Sequence, residues 1–210
     1  MSVAVATYDA RQETFAPASE AGPASKRVVV AFGFWVFLLS DIVMFSALFA
    51  AYAVLVRATA GGPTGAELFN QVNVAVQTGC LLISSYTCGL MSLAVSQRRR
   101  TDTYLFALVT FVLGAAFLYL ELHEFAGMIA RGAGPQRSAF LSAFFTLVGC
   151  HGLHITAGLI WLVVMMAQVE FKGFRPSVDR RLLCFALFWH ALDIIWVWLF
   201  TAVYLMGVRP

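Results

Sequence analysis

Five apolar runs fix what this chain can fold into. They cover roughly Val28 to Val56, Val72 to Ser96, Thr103 to Leu122, Ser138 to Val169 and Leu182 to Gly207. Each reaches the ~20 residues that a helix needs to cross ~30 Å of hydrocarbon. Inside lipid the backbone must satisfy its own hydrogen bonds. Only helices and closed barrels do so, and a barrel would need alternating polarity in much shorter segments. The first and fourth runs exceed the minimum, which implies tilt or extension past the bilayer. Composition agrees, since only 12% of the 210 residues are charged and 60% are hydrophobic, against about a quarter charged in soluble domains. The expected fold is therefore an all-α membrane protein, five transmembrane helices in a bundle. Residues 1–27 contain Pro, Gly, Ser, Glu and Arg but no apolar core. They read as a mobile soluble tail with no cleavable signal, leaving 28–210 as one transmembrane domain without internal repeat.

Basic residues orient the bundle. Arg11, Lys26, Arg27, Arg98, Arg99, Arg100, Lys172, Arg175, Arg180 and Arg181 fall on one side, and Arg57, Arg131, Arg137 and Arg209 on the other, ten against four. The expected arrangement is an N-terminus in the cytoplasm and a C-terminus on the periplasmic face. In the second run, Cys80, Ser84, Cys88, Ser92 and Ser96 recur at every fourth residue. Such a strip of small side chains lets another helix approach closely. The four cysteines, Cys80, Cys88, Cys150 and Cys184, lie in apolar runs without C-x-x-C spacing, and read as small apolar fillers.

Against this background a few polar residues sit at the wrong depth. Asp41 lies near the centre of the first run, His151 and His154 in the fourth, His190 and Asp193 in the fifth. An ionised Asp at mid-membrane costs about 2.5–3.5 kcal/mol on insertion scales, so such groups face the bundle or a partner. His190 and Asp193 are three residues apart and share a helix face, as do His151 and His154. Gly149 and Gly152 beside that second pair remove bulk. Glu121, His123 and Glu124 stand at the end of the third run, either at the interface or deeper if the helix continues through "FAGMIA". The short "RGAGPQR" connection makes the third and fourth spans antiparallel neighbours, which would let Glu124 meet His151 or His154.

Several chemistries are excluded. "HGLH" has two residues between its histidines and no H-E-x-x-H exists, so the zinc-protease pattern is missing. There is no Walker loop and no G-x-G-x-x-G. "GAGPQR" follows no strand, and Arg98 to Arg100 read as a membrane anchor, giving no basis for nucleic-acid binding. Three readings of the buried polar residues stay open: haem ligation by histidines of two helices, ion or proton transport through Asp41 and Asp193, and a polar network that fixes helix packing. Transporters of this size often show inverted repeats and broken helices, and neither is evident.

"FGFWVFLLSDIVMFSALFAAYAVL" (32–55), "ELHEF" (121–125), "RSAFLSAFFTLVGCHGLHITAGLIW" (137–161) and "LFWHALDIIWVWLFTAVYLMG" (187–207) together resemble subunit III of the haem-copper respiratory oxidases, most closely the bo-type ubiquinol oxidase form. The H-G-x-H segment followed by W-H-x-x-D-x-x-W is specific in combination. The similarity runs from about residue 28 to the C-terminus and matches the five-helix variant of a family whose larger members have seven. It implies an accessory subunit of the bacterial inner membrane that packs on subunit I, binds phospholipid and supports sustained turnover of a proton-pumping quinol oxidase. It further implies no catalytic residue, haem or metal in this chain, the haems and copper belonging to subunit I. Asp41 stands where cytochrome c oxidase forms carry a buried Glu, which favours the quinol-oxidase branch. A cytochrome c oxidase subunit and an independent small transporter are the alternatives. The polar network expected to hold the shape comprises Asp41, Glu124, His151, His154, His190 and Asp193.

Overall fold

The computed structural model describes residues 25–205, except the side chains of Ala66 and Glu67. Most of the tail assigned to residues 1–27 lies outside that range. So do Arg11, Arg209 and the expected end of the fifth span at Gly207. Among the described residues the chain forms α1 (Lys26–Leu55), a one-turn α2 (Gly65–Leu68), α3 (Gln71–Ser96), α4 (Arg100–Ala130), α5 (Ala139–Lys172) and α6 (Pro176–Leu199). A π-helical segment, Phe200–Leu205, continues α6. Five of these helices are long and apolar enough to cross a membrane.

Local chemistry sets the helix ends. Asn70 Oδ1 accepts from Val72 N at 3.1 Å and Asn73 N at 3.4 Å, starting α3, while Ser138 Oγ accepts from Leu141 N at 3.2 Å, starting α5. Both meet amides that have no partner inside their own helix. Pro176 occupies the first turn of α6, where its missing N–H is harmless. Gly173 ends α5 at φ 65°, a left-handed conformation that suits glycine. The third apolar run reaches Leu122, with continuation through "FAGMIA" the open alternative, and α4 does continue, to Ala130. Glu121 and Glu124 therefore lie inside a helix, and burial of Glu121 against its neighbours removes the reason to end the span there.

The core lies between α3, α4, α5 and α6. Trp189 of α6 is its centre. Its indole N–H donates to Ser84 Oγ of α3 at 3.1 Å, within the strip of small residues. Its ring packs against Gly114 of α4 and Gly158 of α5, where an added Cβ would lie 2.9 Å from ring atoms on either side. One indole thus touches three other helices. The pair α3–α4 closes through Thr87 and Thr110, whose hydroxyls are 2.8 Å apart. By contrast α1 is peripheral and buries only Leu38, Phe45 and Tyr52. These recur every seven residues and form one narrow seam. The seam meets α5 through Phe34–Trp161 and Tyr52–Phe140 ring contacts at 5.8 and 6.1 Å. Between α1 and α6 lies an apolar groove of about 970 Å³ that includes Trp35, Phe49 and Trp198.

Candidate functional site

The inward-facing acids and histidines of the spans fall into three groups. The first surrounds His151, which is fully buried. Its Nε2 lies 3.3 Å from the Leu192 carbonyl of α6. Its ring is boxed by Trp196 at 5.1 Å, Phe117 at 5.7 Å and Phe45 at 6.4 Å. Trp196 is fixed in turn by donating from Nε1 to Thr78 Oγ1 at 3.0 Å. One turn along α5, His154 donates from Nδ1 to its own helix at Cys150 O, 2.7 Å away, and packs on Phe45 at 5.3 Å. Asp41 is one turn before Phe45 on α1 and interacts electrostatically with Cys150. Phe45 of the α1 seam thus packs on the histidine face of α5.

The second group is centred on His190. Its Nδ1 is 2.8 Å from Ser85 Oγ of α3. Asp193 interacts with both His190 and Ser85, while its Oδ1 has no hydrogen-bond partner. Polar side chains of one α6 turn therefore meet a hydroxyl of α3.

The third group lies where α4 approaches its end. Glu124 Oε2 accepts from Gln77 Nε2 at 3.1 Å and from Asn73 Nδ2 at 3.3 Å, both of α3. The expected meeting of Glu124 with His151 or His154 is not what the structure gives: two amides of α3 occupy Glu124 instead. The acid that reaches α5 is Glu121. A Cβ added to Gly152 would lie 2.7 Å from its Oε1, so only a glycine admits the carboxyl there. Gly149, the other glycine of that face, makes an ordinary contact with Phe125.

The six expected residues are therefore divided, and no hydrogen bond among the described residues joins one of the six directly to another. Ser85, Asn73 and Gln77 are what the sequence reading missed, while Glu121, noted at the end of the third run, is not one of the six. Asn73 and Gln77 are four apart at the start of an otherwise apolar span. That spacing places both amides on one face and is the signal that could have found them.

His151 Nε2 faces the Leu192 carbonyl, and three aromatic rings surround the imidazole. Among the described residues no cluster of three or more His, Cys, Asp or Glu has metal-binding geometry.

The sequence profile of the family described as "Cytochrome c oxidase subunit III" matches residues 13–208. A protein of Pseudomonas aeruginosa named cytochrome bo(3) ubiquinol oxidase subunit 3 is 52% identical over 176 residues, covering 84% of each chain. The similarly named protein of Pseudomonas putida is 49% identical over 176 residues, covering 84% of this chain and 85% of its own. Quinol oxidase subunit 3 of Bacillus subtilis is 42% identical over 179 residues, covering 84% of this chain and 86% of its own. With the five long apolar helices and a core locked by Trp189, these matches have one consequence: this chain belongs to the cytochrome c oxidase subunit III family.

Proposed function

We propose that this chain is subunit III of a proton-pumping terminal ubiquinol oxidase, which passes electrons from quinol to oxygen. The observation that carries the reading is the resemblance in name and sequence of its relatives, which are quinol oxidase subunits across most of the chain. The same relatives favour a quinol donor over cytochrome c, in line with Asp41 in place of the buried Glu. The chain lies in the bacterial inner membrane with its N-terminus in the cytoplasm, as the ten-to-four partition of basic residues supports.

In this reading the chain packs on subunit I, which holds the haems and copper, and contributes no reacting group of its own. Its buried acids and imidazoles hold helix rotation and register. The support comes from where their bonds go: Ser85–His190 ties α3 to α6, Gln77–Glu124 ties α3 to α4, and His151–Leu192 ties α5 to α6. Each of these polar groups would be costly to leave unmet in the membrane. Phospholipid fills apolar surface that the five-helix form leaves open, the α1–α6 groove included.

The test is to delete this chain from cells that rely on the oxidase and to follow quinol oxidation by the remaining complex. Initial turnover should survive with normal haem spectra, while sustained activity falls and returns on re-expression. Loss of the haem spectrum from an otherwise intact complex would overturn the reading.

A further inference from the structure

The groove between α1 and α6 is apolar along most of its wall, and three polar side chains interrupt it: Ser46, Tyr52 and His190. Ser46 turns back on its own helix, donating from Oγ to the Ile42 carbonyl at 2.7 Å. The Tyr52 hydroxyl is buried. His190 differs from both. Its Nδ1 is taken by Ser85 Oγ of α3 at 2.8 Å. The ring is half-buried, its Nε2 is not sealed inside protein, and no hydrogen bond among the described residues reaches that nitrogen. The groove therefore carries one polar atom that its own wall does not use.

Depth decides what can meet it. His190 stands midway along the 30-residue Pro176–Leu205 span, about 20 Å from either end at 1.5 Å per residue. The groove starts close to it, at Trp35 and Leu187, and runs to Val56 and Ala202. Lipid headgroups stay at the two membrane surfaces. A phospholipid in this groove lays only hydrocarbon beside His190, and a ring nitrogen facing hydrocarbon is costly. A neighbouring helix is a poor substitute, because Ser and Thr hydroxyls in such helices bond their own carbonyls, as Ser46 and Thr201 do here.

The guest that fits is apolar over most of its length and carries an oxygen at mid-membrane. A quinone has this form: a flat ring with oxygens at its edge on an apolar tail. Its oxygen serves either tautomer of His190. The quinone carbonyl accepts from a protonated Nε2, and the quinol hydroxyl donates to a bare one. Trp35, Phe49 and Trp198 supply aromatic wall. The volume, about 970 Å³, falls in the range of small-molecule sites. We propose that the α1–α6 groove binds a membrane quinone or quinol, with its ring hydrogen-bonded to His190 Nε2 and its tail along the apolar wall toward Val56. Phospholipid tails keep the remaining apolar surface. The site holds the molecule, and oxidation belongs to the complex. The proposal rests on the reading of that complex as a quinol oxidase.

The experiment photolabels the complete membrane complex with an azido-ubiquinone carrying a short isoprenoid tail, and maps the label by mass spectrometry. The expected result is label within residues 35–53 and 187–202 of this chain, displaced by excess ubiquinone and not by the same excess of dioleoylphosphatidylglycerol. His190→Leu should reduce labelling of this chain by about fivefold, the worth of one hydrogen bond. If that variant fails to assemble, Ile42→Trp decides, because Ile42 lines the groove and is exposed; the larger ring should displace the label. Absence of label from the groove, displacement by phospholipid as well as by ubiquinone, or full labelling of the assembled variant would overturn the proposal. A complex that oxidises quinol yet leaves the groove unlabelled removes this site alone. A complex without quinol oxidation removes the functional reading and the site with it.

Discussion

At the scale of single residues, several polar groups buried within the spans are met by a neighbouring helix. The opposite choice, a lone charge, would cost a few kcal/mol at mid-membrane. His190 shows the device: its Nδ1 meets Ser85 of the facing helix, and Asp193 lies beside both. Asp193→Leu should therefore lower the yield of assembled complex while haem per surviving complex stays normal. Native gels with haem quantification read both quantities, and haem loss from intact complexes would count against a holding role. The polarity and depth of these residues could be read directly from the sequence, because three imidazoles and two carboxylates inside runs of Phe, Leu and Trp admit few explanations. Their partners could not. Ser85 reads as another small residue of α3, and Asn73 and Gln77 as the polar start of a helix. Which hydroxyl or amide faces which acid depends on helix rotation, and rotation is set by packing that no single span encodes.

At the scale of elements, α6 organises the bundle through Trp189. The indole is held by Ser84 and seated between Gly114 and Gly158. A methyl at Gly158 would lie 2.9 Å from a ring that is already hydrogen-bonded and cannot move aside. Gly158→Ala should lower the thermal midpoint of the complex, with a cost in the overpacking range of about 1–3 kcal/mol. Trp189→Phe in the same background should recover part of the loss. Fluorescence-detected size exclusion after heating reads this, and an unchanged midpoint would contradict the close packing. The existence and length of all five spans were legible, because the hydrocarbon thickness imposes them. Where α4 ended was not. "ELHEF" looks like an interface by polarity, yet α3 amides and bare Gly152 backbone accommodate its acids, so the helix runs on to Ala130. The π-helical end of α6 left no mark either. A π segment shifts which side chains face inward without changing residue type, and within this one Val203 and Tyr204 are buried.

At the scale of the whole molecule, the two sides of the bundle are closed differently. On the side of the α3–α4 and α5–α6 turns, charges tie loops together. Arg98 Nη2 is 2.9 Å from Asp179, Arg100 pairs with Glu170 at 2.8 Å, and Arg98 also donates to the Phe174 carbonyl. These groups are half exposed, so screening limits their worth. Asp179→Asn should shift the thermal midpoint less than Gly158→Ala does, and raising salt should erase most of the difference from the unaltered protein. A large, salt-independent shift would mean that this latch carries more of the fold than surface pairing permits. On the other side, buried acids, amides and Tyr204 do the joining. Between them, α1 contributes a seam of only three buried side chains and leaves most of its surface open. A chain with so much unburied apolar surface fits one component of a larger membrane assembly.

On the proposed function, this chain is a colourless, shape-holding member of a haem-copper quinol oxidase. The most direct measurement is to tag the full chain, extract it in mild detergent from native membranes, and determine what comes with it by mass spectrometry, haem spectrum and copper content. Co-purification with a large haem- and copper-bearing subunit and with quinol oxidase activity is expected. Recovery of the chain alone, or coloured in its own right after that subunit is removed, would contradict it.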